Sequence, residues 1–167
     1  MPVTVRIASN ADQEAVIHVI KTVYDEFGFP WYPEGYHVDL YDLDGHYRDH
    51  GDTFYLAELD GEPVGTAALE LFDLIEEMPR RVSGADCSVE RLYVLPTVRR
   101  AGVATALMNR VIEDAKAAGR TRMEIWTDKN FTAAHALYQR IGAEVVSERL
   151  CDDPEESPEW GMALDLR

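Results

Sequence analysis

Residues 94–107 read VLPTVRRAGVATAL, and the fold is decided by this stretch. An apolar run ends at Pro96, and a helical pattern then opens around Gly102 with small residues on both sides. The first turn of a helix has N–H groups without intrahelical acceptors and carries the positive end of the helix dipole. Gly102 would let a phosphate approach the backbone, and Arg99 and Arg100 add positive charge. The stretch therefore predicts a strand, a turn and a helix that binds an anion at its start, although a merely basic turn is the plainer alternative.

The composition narrows the class of partner. The chain has 167 residues, enough for one domain with a core, and a net charge of −15. So acidic a chain does not suit nucleic acid, which requires clustered Lys and Arg. Residues 91–112 differ from the rest because they hold four arginines and no acid, which predicts a confined anionic ligand. The sequence lacks the glycine patterns of P-loop nucleotidases and Rossmann dehydrogenases.

Neither a membrane nor a metal is expected as a partner. No apolar run approaches the roughly 20 residues that span a bilayer, and the first residues contain no apolar signal segment. Cys87 and Cys151 do not form a metal or redox spacing. We therefore expect a cytoplasmic protein with free thiols. Metal binding by His37, His46 and His50 in their Asp-rich stretch is a weaker alternative.

The remaining pattern places strands and helices around the opening stretch. Its strand is predicted over 87–95 and its helix over 102–118. Asp60-Gly61 between two strand patterns predicts a hairpin. The other predicted strands cover 3–8, 53–58, 63–71, 122–127, 143–150 and 160–166. A further helix is predicted after a cap at Ser9 or Asn10, with Gln13 or Glu14 completing a capping box. Another is predicted near 36–43, and a third runs from a cap at Asn130 to about 141. A polar connection is predicted over 76–84.

The order of these elements, β-α-(α)-β-β-β-α-β-α-β-β, predicts an α/β fold with a mixed sheet. The sequence contains no internal repeat and no linker. We expect a single domain over residues 1–167.

Two motifs resemble those of the Gcn5-related N-acetyltransferase (GNAT) family. Residues 89–96, VERLYVLP, and the following 99–104, RRAGVA, are similar to its central motif. A second family motif is similar to Asn130 followed by ALYQRIGA at 136–143. The resemblance implies a mixed, mostly antiparallel sheet flanked by helices. It also implies an acetyl-CoA-dependent N-acetyltransferase that moves an acetyl group to a primary amine by direct attack in a ternary complex.

The resemblance also assigns roles to individual residues. The backbone of a turn would hold the CoA pyrophosphate, and the exposed backbone of a strand, freed by a bulge, would pair with the pantetheine arm. The turn residues are Arg99, Arg100, Ala101, Gly102, Val103, Ala104 and Thr105, and the strand residues are Leu92, Tyr93 and Val94. Asn130 would contact the CoA arm, the Val94 N–H would polarise the thioester carbonyl, and the Tyr138 hydroxyl would protonate the leaving thiolate.

The base that takes the amine proton is left open. Many family members carry a Glu on the central strand where this chain has Ser88. Glu90 lies two residues on and has the same strand parity, so it could take the proton. Glu90 could equally be a structural carboxylate, and Ser88 could hold one water of a relay. Cys87 at the same strand, His135 and Trp126 are expected to be structural.

The family resemblance also implies that the segment over 27–52 shapes the site of the acceptor amine. This segment combines aromatic residues with Asp39, Asp42, Asp44 and Asp49, which suits a cationic amine. A polyamine-like, amino-sugar or amino-acid-derived amine is our first hypothesis, and a protein amine the second. A non-catalytic CoA-binding module and an acyltransferase for longer acyl-CoA are the alternatives. A homodimer is left open.

Overall fold

A computed structural model describes residues 2–73 and 80–167. The polar connection predicted over 76–84 therefore lies partly outside the described residues. Within these ranges, the helices are α1 (Gln13–Phe27), α2 (Leu43–His46), α3 (Val103–Ala117) and α4 (Thr132–Arg140). The strands are β1 (Val3–Ile7), β2 (Thr53–Leu59), β3 (Glu62–Leu71), β4 (Cys87–Val94), β5 (Arg122–Asp128), β6 (Glu144–Leu150) and β7 (Pro158–Asp165). None of the described helices is both long and apolar enough to cross a membrane.

The predicted fold class is confirmed. The strands of the described chain form one sheet in the order β1-β2-β3-β4-β5-β7-β6. The β4–β5 pair is parallel, whereas β1–β2, β2–β3, β5–β7 and β6–β7 are antiparallel, which makes the sheet mixed and mostly antiparallel. The order of helices and strands also agrees with the sequence prediction.

The chain divides into two compact units, of which the first comprises residues 1–70 and 91–111. It contains β1, β2, β3, the second half of β4, α1, α2 and the beginning of α3. Its core is apolar and comes mainly from α1, the segment after it and β2. The core residues are Ala8, Val16, Ile20, Tyr24, Leu40, Leu43, Phe54, Leu56 and Ala68.

The second unit comprises residues 71–90 and 112–167. In it, Cys87–Val89 of β4 run parallel to Met123–Ile125 of β5, and β7 lies between β5 and β6. A small core packs Val82, Ala85 and Ala163 against the partly buried Phe72 and Trp126. Trp126 thus belongs to this core, as its strand position predicted.

The hairpin turn agrees with its sequence signal, whereas the start of α1 does not. Asp60 and Gly61 have φ of 55° and 79°, the left-handed pair that a two-residue hairpin turn requires, so the hairpin is confirmed. Ser9 is a cap, but it caps a short 3₁₀ helix at Asn10–Asp12, and Asp12 completes the capping box. The prediction that Gln13 or Glu14 would do so was wrong, because the extra 3₁₀ turn moves the start of α1 downstream.

Two other helix predictions needed correction. Asn130 does not cap α4, since the residue before the helix is Phe131 and no side chain caps it. Asn130 instead donates its backbone N–H to Asp128 Oδ1 at 2.8 Å. The single helix predicted near 36–43 is three short helical pieces, over Val38–Tyr41, Leu43–His46 and Arg48–His50.

Gly65 in β3 determines how closely α3 packs on the first unit. A Cβ atom at Gly65 would lie 2.8 Å from Val103 Cγ1, 3.0 Å from Leu107 Cδ1 and 3.3 Å from the Tyr93 carbonyl oxygen. These distances are shorter than carbon atoms in contact tolerate. The first turns of α3 can therefore lie on β3 only because residue 65 has no side chain.

Replacing Gly65 with alanine is expected to lower the free energy of unfolding by about 1–3 kcal/mol, because the added methyl group overpacks this contact. Urea and thermal denaturation measure the loss. Gly35→Ala is the matched control, since a Cβ there meets only Tyr32 Cβ at an ordinary 3.6 Å. Equal stability of the two variants would contradict the account.

Candidate active site

The turn between β4 and α3 has the backbone of an anion site. A 3₁₀ turn at Pro96–Val98 follows the strand, and Arg100 and Gly102 then adopt left-handed φ angles of 74° and 81°. The Ala106 N–H donates to the Gly102 carbonyl at 3.0 Å, so the N–H groups of the three preceding residues lie at the open end of α3. No heavy atom lies within 4 Å of a Cβ built at Gly102. This open, positively polarised backbone fits a diphosphate.

The four arginines of residues 91–112 divide into two pairs. Arg91 and Arg110 are directed into the protein, where Arg110 donates to the Val5 carbonyl at 3.1 Å. Arg99 and Arg100 lie at the turn and are exposed. Arg99 forms a two-bond ion pair with Glu26 of α1, at 2.5 and 2.7 Å. That hydrogen bond lowers the pKa of Glu26, so the Glu26 carboxylate stays negative beside the turn.

Arg91 is a buried cation in the middle of β4. Its Nη2 lies 2.7 Å from Asp39 Oδ1 and its Nε 3.2 Å from Asp39 Oδ2, and the two side chains are only 10% and 16% exposed. Burial alone would lower the pKa of the guanidinium, but the Asp39 charge, together with the nearby Tyr93, Tyr36 and Tyr47, holds that pKa well above its ordinary value. Sequence reasoning missed this pair because its members are far apart in the chain.

Aromatic rings cluster in the segment that was expected to meet the acceptor. The buried His37 ring stacks on Trp31 at 3.9 Å and meets the Tyr24 ring edge-on at 4.5 Å. Tyr24 also contacts Tyr93 of β4, with ring centroids 5.8 Å apart and hydroxyl oxygens 3.4 Å apart. The cluster therefore extends to the strand segment that the family resemblance assigns to CoA.

The aspartates of that segment are all engaged with nearby groups. Asp39 pairs with Arg91, and Asp42 accepts the Gly45 N–H at 3.0 Å. Asp44 and Asp49 both contact Arg48, at 3.4 and 3.3 Å. These carboxylates therefore bind groups of the protein, which are Arg91 of β4 and residues of the segment itself.

Ser88 and Glu90 lie together in the second unit, as their shared strand parity predicted. The Ser88 hydroxyl donates to Glu90 Oε1 at 3.0 Å. Ser88 is fully buried, whereas Glu90 is partly exposed. The serine therefore orients a carboxylate that has access to solvent.

Glu124 of β5 is a carboxylate that sequence reasoning missed. It lies opposite Ser88 in the strand register and is fully buried. Its oxygens accept hydrogen bonds from Arg81 Nη1 at 3.0 Å, the Val82 N–H at 3.0 Å and Trp126 Nε1 at 3.1 Å. An acidic residue within an apolar strand pattern was the available signal. Through the two donors Arg81 and Val82, Glu124 fixes the segment before β4 onto β5.

The other residues predicted for the site lie on α4 and in the loop before it. Tyr138 lies on the buried side of α4 and is 5% exposed, whereas Asn130 is exposed in the loop before the helix. His135 Nε2 lies 2.9 Å from the Asp128 carbonyl oxygen, which agrees with a structural role. Among the described residues, no group of three His, Cys, Asp or Glu side chains is arranged to hold a metal ion.

Cys87 at the start of β4 is suited to packing rather than to nucleophilic chemistry. Its side chain is fully buried. Burial, assisted by the neighbouring Asp86, raises the pKa of the thiol to about 12. Because the thiolate is the reactive form, Cys87 is inert at neutral pH.

The family of the chain follows from comparison with known proteins. Residues 18–143 match the model of the Acetyltransferase (GNAT) family. Since this match covers well over half of the chain, the protein belongs to that family, and the resemblance read from its two motifs is confirmed.

Named relatives are N-acetyltransferases or a synthetase of an N-acetylated product. An uncharacterized N-acetyltransferase from Methanocaldococcus jannaschii is 33% identical over 56% of this chain, which spans only 39% of that protein. An uncharacterized N-acetyltransferase from Escherichia coli is 29% identical over 83% of this chain and 80% of its own length. N-acetylaspartate synthetase from Danio rerio is 30% identical over 67% of this chain and 37% of its own length.

Solved structures share the fold. A GNAT-family acetyltransferase from Staphylococcus aureus aligns with a TM-score of 0.79 and 19% identity, over 99% of this chain and 100% of that one. An acetyltransferase from Salmonella typhimurium, solved with its cofactor acetyl-CoA, aligns with a TM-score of 0.73 and 18% identity over 99% and 94% of the two chains. At such identities the likeness establishes the fold alone.

Proposed function

We propose that residues 1–167 act as one acetyl-CoA-dependent N-acetyltransferase domain, which moves the acetyl group to a primary amine by direct attack in a ternary complex. The observation that carries the proposal is the turn before α3, with left-handed Arg100 and Gly102 and open helix N–H groups. Family membership and the acetyl-CoA of the Salmonella neighbour support CoA as the ligand of such a turn.

The binding half of the proposal uses the backbone. The N–H groups of Arg100 and of residues 102–105 would hold the CoA diphosphate, with the Arg99 and Arg100 side chains beside it. The Ala101 N–H is not among them, because it donates to the Val98 carbonyl oxygen at 3.1 Å. Backbone groups of Leu92–Val94 would pair with the pantetheine arm in the manner of an added strand. Asn130 would contact the same arm.

The chemical half needs a donor, an acid and a base. Acetyl-CoA supplies the acetyl group as a thioester. The Val94 N–H would stabilise the negative charge that develops on the thioester oxygen. As the new C–N bond forms and the C–S bond breaks, Tyr138 would give a proton to the departing sulfur.

Glu90 is the base in this proposal. A free alkyl amine has a pKa of about 10, so its proton must be removed for attack. The Ser88 hydroxyl holds one oxygen of the Glu90 carboxylate at 3.0 Å, which orients it without neutralising it. The proton would pass to Glu90 directly or through water, with Ser88 as the positioning residue.

Direct attack is supported by the state of Cys87. A covalent route would require a thiolate near the thioester, and the pKa of the Cys87 thiol, about 12, keeps it protonated.

The acceptor in this proposal is a small amine. Among the aromatic residues of the segment over 27–52, Tyr41 is exposed, and an exposed aromatic ring supports our expectation of a cationic amine. The name of the Danio rerio relative, an N-acetylaspartate synthetase, supports an amino-acid-derived amine, but aspartate is acidic, so the name does not support the cationic character of the acceptor.

A thiol-release assay with acetyl-CoA and a panel of polyamines, amino sugars, amino acids and peptides tests the function. Amine-stimulated release of CoA is the expected result. Binding of CoA without any stimulated release would favour a non-catalytic module. Faster release from propionyl- or butyryl-CoA would favour a longer-chain acyltransferase.

Changing Glu90 to glutamine is expected to lower kcat by about 100-fold or more, because the amine loses its base. Ser88→Ala should lower kcat by only about three- to tenfold, the effect of one lost orienting hydrogen bond. Both leave the KM for acetyl-CoA unchanged in steady-state kinetics. Glu144→Gln, at an exposed position of β6, is the control. Full activity of Glu90→Gln would remove Glu90 from the mechanism.

Changing Glu26 to glutamine is expected to tighten CoA binding by about two- to fivefold, since Arg99 would no longer share its charge with a carboxylate. Calorimetry at low and high salt measures the effect, which should shrink as salt rises. Glu14→Gln makes the same charge change on the exposed start of α1 and should have little effect. Equal affinities of the two variants would show that Arg99 does not face the diphosphate.

A further inference from the structure

Arg91 combines two features that each call for a physical reason. It adopts a left-handed φ of 53° inside β4, a conformation that a residue with a long side chain rarely holds. It also buries a charged guanidinium beside a carboxylate. The residues that follow it directly, Leu92–Val94, are those to which the proposed function assigns the pantetheine arm and the thioester.

The left-handed turn is held from the backbone side by β3. The hydroxyl of the fully buried Thr66 donates to the Arg91 carbonyl oxygen at 2.8 Å. Further along, the Leu95 N–H donates to the Val64 carbonyl oxygen at 2.9 Å. Thr66 thus binds the point at which the strand leaves its regular conformation.

The Arg91 side chain is held by residues of the segment over 27–52. Besides its two bonds to Asp39, the guanidinium donates from Nη2 to the Tyr36 carbonyl oxygen at 2.6 Å and lies 4.7 Å from the Tyr36 ring. The Tyr47 hydroxyl donates in turn to Asp39. Because the guanidinium is held at two of its nitrogens, both the direction and the position of the side chain are fixed.

We propose that Arg91 is a positioning residue. Its ion pair with Asp39, together with the Thr66 hydrogen bond to its carbonyl, sets the left-handed turn that directs the backbone groups of Leu92–Val94 toward the pantetheine arm and the thioester. The inference rests on the proposed function, because it assumes that CoA binds along this strand.

The affinities for two ligands distinguish a loss of positioning from a general loss of stability. CoA uses both the turn before α3 and the strand, whereas 3′-phospho-ADP, which ends at the diphosphate, uses only the turn. Calorimetry is carried out well below the melting temperature of each variant. For Asp39→Asn and Arg91→Gly, the Kd of CoA is expected to rise about tenfold, equivalent to one or two misdirected backbone hydrogen bonds, with the Kd of 3′-phospho-ADP unchanged.

Arg91→Gly is informative because glycine adopts the left-handed turn freely but lacks the side chain. Thr66→Val tests the left-handed conformation of Arg91 without changing the ion pair. It should again weaken the binding of CoA and leave that of 3′-phospho-ADP unchanged. Thr66→Ser keeps the hydroxyl and should restore wild-type affinity. Asp12→Asn is the control, because Asp12 forms an equally two-bonded pair with Arg6, at 3.0 and 2.7 Å, in the same unit.

The outcomes are distinct. Selective loss of CoA affinity in Asp39→Asn, Arg91→Gly and Thr66→Val supports the inference. Unchanged affinity for CoA, or a parallel loss for both ligands, overturns it while leaving the proposed function intact. Wild-type protein that binds neither ligand overturns the proposed function and the inference together.

Discussion

The N–H groups at the start of α3 have no helical carbonyl to bond, so an anionic ligand can accept from them. Arg100 and Gly102 give the preceding turn its left-handed conformations, and a Cβ at Gly102 would meet no atom within 4 Å beyond its chain neighbours. Gly65 lets the helix lie directly on β3. On a chain of net charge −15, the arginines of the turn provide a local positive region that an anionic ligand can occupy. Helix geometry, packing and charge therefore favour the same class of ligand.

Buried charges in both units serve the strand that carries this turn. In the first unit, Asp39 neutralises Arg91 at the point where β4 changes conformation. In the second unit, Glu124 accepts three hydrogen bonds beside the first half of β4 and fixes the segment that precedes it. A buried charge that lost its partner would be costly, by about 3–5 kcal/mol. The geometry of β4 is thus maintained by electrostatic pairs rather than by apolar packing alone.

Features of the fold that depend on neighbouring residues could be predicted from the sequence. The Asp60-Gly61 hairpin, the amphipathic α3 and the shared face of Ser88 and Glu90 follow from turn chemistry and strand parity, and all were found. The start of α1 was predicted too early because a 3₁₀ turn follows the capping Ser9, and the cap of α4 was predicted wrongly because Phe131 occupies the position before that helix. The Arg91–Asp39 pair and the role of Glu124 could not be predicted, since each depends on segments that are distant in the chain. For the same reason the partner of Asp39 could not be predicted, since Arg91 is distant from it in the chain.

Hydrogen–deuterium exchange with and without acetyl-CoA tests the central claim most directly, because the proposed ligand bonds are made by backbone N–H groups. Saturating acetyl-CoA is predicted to slow exchange at Leu92–Val94, at Arg100 and at residues 102–105, with β6 unchanged. Slowing confined to other segments, or none at all, would contradict the claim that the turn before α3 and the strand leading into it bind the donor.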